Sequence, residues 1–70
     1  MIKASQIKEH MEVKGSDGNH IGTVLGQENG RLTVASGGMD HDVDIAMVDA
    51  VEGDAIRLRQ TAEETLKTWH

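Results

Sequence analysis

At 70 residues the chain is long enough for one domain, expected over residues 1–70, with a modest core and marginal stability unless it associates. It has no cysteine, which excludes disulfides and thiolate metal sites. A net charge of −5 repels phosphate backbones, and a single aromatic among Phe, Trp and Tyr offers bases no stacking platform, so nucleic acid is not an expected partner.

The chain begins with a pattern typical of a helical turn and then changes to that of a strand. Ser5 is a suitable N-cap for a short turn over residues 6–8. From Met11 to Lys14 apolar and polar residues alternate, which predicts a strand. Asp17-Gly18 follows, and we expect a tight reversal there because glycine accepts a positive φ.

The second predicted strand, about 20–27, contains two glycines. Interior glycines mark a bulge, a bend or a close backbone crossing, so Gly22 and Gly26 favour a sheet that coils into a barrel. Asn29-Gly30 is a strong type I′ hairpin signal, because both residues tolerate positive φ. It leads into a third strand over 31–35.

The second half of the chain predicts three more strands. Residues 36–39 (Ser-Gly-Gly-Met) indicate a mobile loop. Residues 40–45 alternate, and 47–51 continue the sheet less regularly. A tight turn around Gly53 then leads to a last alternating strand over 56–59.

The C-terminal segment predicts a helix over about 62–69. Thr61-Ala62-Glu63-Glu64 is a capping box, in which the first and last side chains satisfy each other's backbone amides. Ala62, Leu66 and Trp69 fall on one stripe at helical spacing. We expect this stripe to lie against the barrel or to form an interaction surface for a partner.

The run from Asp40 to Asp44 is the strongest candidate metal site. Asp40, Asp42 and Asp44 resemble the start of a calcium loop, with His41 as a further possible ligand. However, Ile45 stands where that loop needs glycine, and strand alternation explains the spacing as a solvated acidic face. The four histidines lack zinc-site spacing: His10, His20, His41 and His70.

The sequence predicts no catalytic residue and no cofactor. Residues 15–19 are glycine-rich, but a strand follows them instead of the helix that a phosphate loop requires. Ser5, Ser16 and Ser36 lie outside any nucleophile elbow. A barrel this small, filled by its own side chains, leaves little room for a substrate pocket. We therefore do not expect an enzyme.

The pattern of several of these residues resembles that of the PRC-barrel domain. Its opening hairpin matches Val13, Gly18 and Ile21-Gly22-Thr23-Val24, and its closing part matches Ile45, Val48, Val51 and Gly53-Asp54-Ala55-Ile56. Within that superfamily the chain most resembles small stand-alone bacterial proteins of unknown function, in which a helix with a terminal Trp follows the barrel. The resemblance implies a docking module without catalytic residues, as in domains of the photosynthetic reaction centre H subunit and of a ribosome maturation factor.

The sequence as a whole predicts a mainly β fold. We expect a small PRC-type β-barrel of about six short antiparallel strands over residues 11–59, flanked by an N-terminal helical turn and a C-terminal helix. No signal peptide or membrane span is evident, so we expect a cytoplasmic protein. The leading hypothesis is a non-catalytic protein-interaction or scaffolding module whose partner is unknown, with self-association into a homo-oligomer as one form of it. The alternative is a metal- or small-molecule-responsive sensor using Asp40–Asp44 and the histidines.

Overall fold

A computed structural model describes residues 4–69 and confirms the mainly β class. This part of the chain forms six strands, a C-terminal helix and two 3₁₀ turns. The strands are β1 (Glu12–Lys14), β2 (His20–Glu28), β3 (Arg31–Ser36), β4 (Met39–Asp44), β5 (Val48–Glu52) and β6 (Ala55–Leu58). The helix α1 is Ala62–Thr68, and the 3₁₀ turns are Ala4–Gln6 and Ile45–Met47. Ser5 lies inside the first turn, so the expected N-cap at Ser5 is wrong.

The strands form one sheet in the order β4-β3-β2-β1-β6-β5, and within residues 4–69 its two edge strands do not pair with each other. The expectation of a closed barrel is therefore wrong: the sheet coils, but it stays open between β4 and β5. The expectation of purely antiparallel strands is also wrong, because β1 and β6 run parallel, with Val13 opposite Ile56.

The connection between the two edge strands is a short turn held by side-chain hydrogen bonds. The 3₁₀ turn Ile45–Met47 directly follows β4, and the Asp44 side chain accepts a hydrogen bond from the Ala46 amide (3.0 Å). Arg59 donates from Nε to the Ala46 carbonyl (2.8 Å) and from its amide to the Met47 carbonyl (2.9 Å). These bonds direct β5 toward β6 and away from β4.

Glycine and asparagine set the hairpins where the sequence predicts them. Asn29 and Gly30 have φ values of 52° and 78°, and Gly18 and Gly53 also have positive φ. The loop expected at 36–39 is only two residues long, because Ser36 and Met39 are paired strand ends. Gly37 and Gly38, with φ values of 59° and 81°, form the turn between them.

The core lies inside the coiled sheet. Alternating residues of β1, β3 and β4 point inward, as the period of two predicts, whereas β2 and β5 depart from strict alternation where their pairing shifts register. Its fully buried large side chains are Leu32, Ile56, Leu58, Val13, Val24 and Val34.

The two glycines of β2 differ in role. A Cβ at Gly22 would overlap the Ala35 carbonyl oxygen, whereas Gly26 ends a register shift in the pairing with β3. The close backbone crossing and the bulge expected from these glycines are therefore both present.

Helix α1 begins with the predicted capping box and is held by the first hairpin turn. The Thr61 hydroxyl accepts from the Glu64 amide (3.2 Å), and the Glu64 carboxylate accepts from the Thr61 amide (3.2 Å). A Cβ at Gly15 would overlap the Ala62 nitrogen, so the turn and the helix are in close backbone contact. The Asp17 carboxylate accepts from the Ala62 amide (3.4 Å). The sequence predicts the capping box but not this long-range contact.

This contact makes stability depend on pH through Asp17. Desolvation alone would raise the pKa of Asp17, but hydrogen bonds from the Asn19 and Ala62 amides outweigh it and lower the pKa below the usual 3.8. The carboxylate therefore stabilises the fold above about pH 3.8, and its contribution is lost as the pH falls through the lowered value.

We expect Asp17→Asn to lower the free energy of unfolding at neutral pH, and this deficit to shrink in acid, where the wild-type carboxyl is also neutral. Urea denaturation of the wild type and the Asp17→Asn variant, at neutral pH and in acid below the pKa of Asp17, measures this difference in the free energy of unfolding. Glu9→Gln, which removes one exposed negative charge outside this contact, is the control. A deficit of the same size at both pH values would contradict the assignment.

Candidate functional site

The opening between β4 and α1 forms a groove of about 300 Å³, which we call the seam groove. It is lined by Asp42, Val43, Asp44, Met47, Leu58, Gln60, Thr65, Thr68 and Trp69. Val43, Leu58 and Thr65 are buried, and Met47 and Trp69 are half-buried and pack against the core. The groove is therefore a largely apolar extension of the core, with Asp42 and Asp44 at its rim.

Trp69 is held in place by a ring contact with the edge strand. Its ring and that of His41 stack with centroids 4.3 Å apart and an angle of 5° between the planes. His41 lies opposite Val34 on the inner face of the sheet and is half-buried. The stack therefore links the end of α1 to β4 at the gap in the sheet, where, among the described residues, β4 has no hydrogen-bonded strand on its open side.

The open edge of β4 presents aspartates. In an antiparallel pair, residues alternate between those whose backbone groups face the partner strand and those whose groups face away. The Ile45 amide donates to the Gly30 carbonyl (2.9 Å), so Ile45 faces β3, and the pairing along Met39–Asp44 has no register shift. The residues that turn their N–H and C=O groups to the open edge are Asp40, Asp42 and Asp44.

The candidate metal ligands do not converge in the described chain. The carboxylates of Asp40, Asp42 and Asp44 lie on the exposed outer face, as alternation predicts, and Asp44 caps the following 3₁₀ turn. Within residues 4–69 no group of three or more His, Cys, Asp or Glu side chains is placed to hold a metal ion.

The histidines lie at separate places in the structure. His20 contacts the Glu12 carboxylate (Nδ1 to Oε2, 3.0 Å), and His41 stacks on Trp69. His10 is exposed in the segment before β1, and His70 lies outside the described residues.

The helix stripe expected to form an interaction surface is divided by the structure. Ala62 is only 6% exposed and Trp69 is half-buried, whereas Leu66 is 46% exposed. Thr65 takes the inward position and is 5% exposed. The groove-facing helix residues are therefore Thr65, Thr68 and Trp69. A stripe over 62, 65 and 69 has helical spacing too, but the polarity of threonine conceals it in the sequence.

A second cleft, of about 490 Å³, lies between the N-terminal segment and β2. Its lining includes the exposed Lys8 and Glu9 side chains, and Gln27 donates to the Ile7 carbonyl (2.9 Å) beside it. It has no aromatic or buried polar side chain among its lining residues within the described chain. The seam groove is therefore the better candidate site, although it is smaller.

Comparison with known proteins identifies one family. A family model described as "Uncharacterized protein conserved in bacteria (DUF2171)" matches residues 7–65. This range includes the whole sheet and the first part of α1. No curated protein matches the sequence. In the described residues, no helix has the length and apolar character needed to cross a membrane.

Proposed function

Because this chain belongs to the uncharacterized bacterial family DUF2171, whose description assigns no activity, we propose from its geometry that it is a non-catalytic protein-interaction module. The seam groove is its docking site. One observation carries the proposal: among the described residues, the sheet leaves an edge strand unpaired directly beside a groove floored by core side chains. Sheet edges and apolar grooves are two kinds of surface to which proteins commonly add a partner segment.

Two further features support this function. The domain is small, so covering the groove with a partner adds buried apolar surface that its own chain does not supply. The resemblance of Val13, Gly18 and 21–24 to PRC-barrel proteins points the same way, because two of those proteins, domains of the photosynthetic reaction centre H subunit and of a ribosome maturation factor, act as docking modules. The module would act in the cytoplasm, on another protein or on a second copy of itself.

Site-specific photo-crosslinking in living bacteria tests the proposal. A benzophenone amino acid replaces Thr68, which is exposed at the groove, and in a control variant it replaces Glu9, which is exposed at the other cleft. We expect ultraviolet light to give an adduct of discrete mass from position 68 and not from position 9. An adduct of twice the chain mass identifies self-association, and any other discrete mass identifies a different partner. Equal adducts from both positions, or none from position 68, would overturn the proposal.

A further inference from the structure

We infer that the open edge of β4, together with the seam groove beside it, binds a basic, extended segment of a partner protein. This segment pairs with β4 as a seventh strand. The inference rests on the proposed function and names the chemistry of the partner. Three properties of β4 carry it: the direction of its backbone groups, the charge of its outer face, and the groove beside its inner face.

The backbone of β4 is ready for pairing. Asp40, Asp42 and Asp44 direct their N–H and C=O groups to the open edge, and no strand of residues 4–69 takes them. The strand pairs with β3 over all six residues of Met39–Asp44 without a bulge, and a regular edge of this kind can template another strand. An added segment would satisfy these groups along the whole edge.

The charge of the edge selects the occupant. Each residue that faces the edge carries a carboxylate on the exposed outer face of the sheet. A second copy that paired through its own β4 would place aspartates opposite aspartates, and like charges directly opposite each other destabilise a sheet. Lysine or arginine in those positions would pair with the aspartates instead. The net charge of −5 further favours encounter with a basic segment.

The inner face sets the remaining positions of the segment. His41 and Val43 point inward along β4, and Val43 contributes to the seam groove together with Met47 and Trp69. Side chains of an added strand alternate between faces, so every second one would enter this apolar space. The expected segment therefore alternates basic and apolar residues, with the basic ones opposite the aspartates.

Titration of the ¹⁵N-labelled protein followed by NMR tests this at physiological ionic strength. The probe is a short acetylated and amidated peptide of alternating lysine and valine. One control peptide has glutamate in place of lysine, and a second has the same lysines and valines in two blocks. We expect the alternating lysine peptide alone to shift the amides of residues 39–45 and the Trp69 indole, and to protect the β4 edge amides from hydrogen exchange.

Charge variants test the role of the aspartates. Asp40→Asn with Asp42→Asn removes two edge charges, and we expect binding to weaken about two- to thirtyfold. Glu9→Gln with Asp54→Asn makes the same charge change at exposed positions outside β4 and the seam groove, and we expect it to leave affinity almost unchanged. The amide spectrum of each free variant shows whether it is folded.

The outcomes separate this inference from the proposed function. Equal binding of the glutamate or block peptide, shifts away from the seam, or an unchanged affinity of the Asp40/Asp42 variant would each overturn it. No binding by any peptide would mean that the aspartates only protect the edge. In these cases the crosslink at position 68 still decides whether another protein docks at the seam.

Discussion

Leu32→Ala is expected to remove a large share of the protein's free energy of unfolding. Leu32 is completely buried and lies opposite Val43 in the pairing of β3 with β4. Loss of a buried leucine side chain costs about 2–5 kcal/mol, from lost transfer energy and the cavity left behind. Domains typically have about 0.05–0.15 kcal/mol of stability per residue, so a chain of this length has little to spare.

Urea denaturation followed by circular dichroism measures this loss. Leu25→Ala is the matched control, because Leu25 is 42% exposed in the neighbouring strand β2. We expect the control to change the free energy of unfolding by less than about 1 kcal/mol. Similar losses for the two variants would show that the core is not where the structure places it.

Gly22→Ala is expected to destabilise the sheet by about 2 kcal/mol or more, although it adds only one methyl group. The added Cβ would overlap the carbonyl oxygen of Ala35 and approach the Val34 side chain at 3.1 Å. The carbonyl belongs to the backbone of β3, so it can yield only if the two strands move apart.

Gly26→Ala in the same strand provides the comparison. A Cβ there meets no atom of the described chain within 4 Å, and we expect a change below about 1 kcal/mol in either direction. Thermal and urea unfolding of both variants measures the difference. If Gly26→Ala proves as costly as Gly22→Ala, chain flexibility and not the crossing with β3 explains both glycines.

Local patterns predicted the local structure well. The dipeptides Asp17-Gly18 and Asn29-Gly30 placed two turns, because positive φ is a property of the residues themselves. Alternation over 40–45 placed His41 and Val43 inward and the aspartates outward. The capping box at Thr61 placed the start of the helix, since both of its hydrogen bonds lie within four residues.

The long-range features of the fold could not be predicted from the sequence. Whether a coiled sheet closes depends on the path between β4 and β5, which is set by the hydrogen bonds of Asp44 and Arg59. Of the predicted stripe, Ala62 and Trp69 turn inward, but the structure exposes Leu66 and buries Thr65 in its place. The seam groove depends on both features, so neither Met47 nor Thr68 could be identified as a lining residue from the sequence.

The three-residue strand β1 has a consequence for how the chain folds. It joins the meander of β2, β3 and β4 to the hairpin of β5 and β6, and it pairs Glu12 with Ala55, 43 positions further along the chain. Hairpins close short loops quickly, whereas contacts between distant residues carry a larger entropic cost and slow the search. We therefore expect the meander and the hairpin to form first, and cooperative folding to be complete only when β1 joins β6.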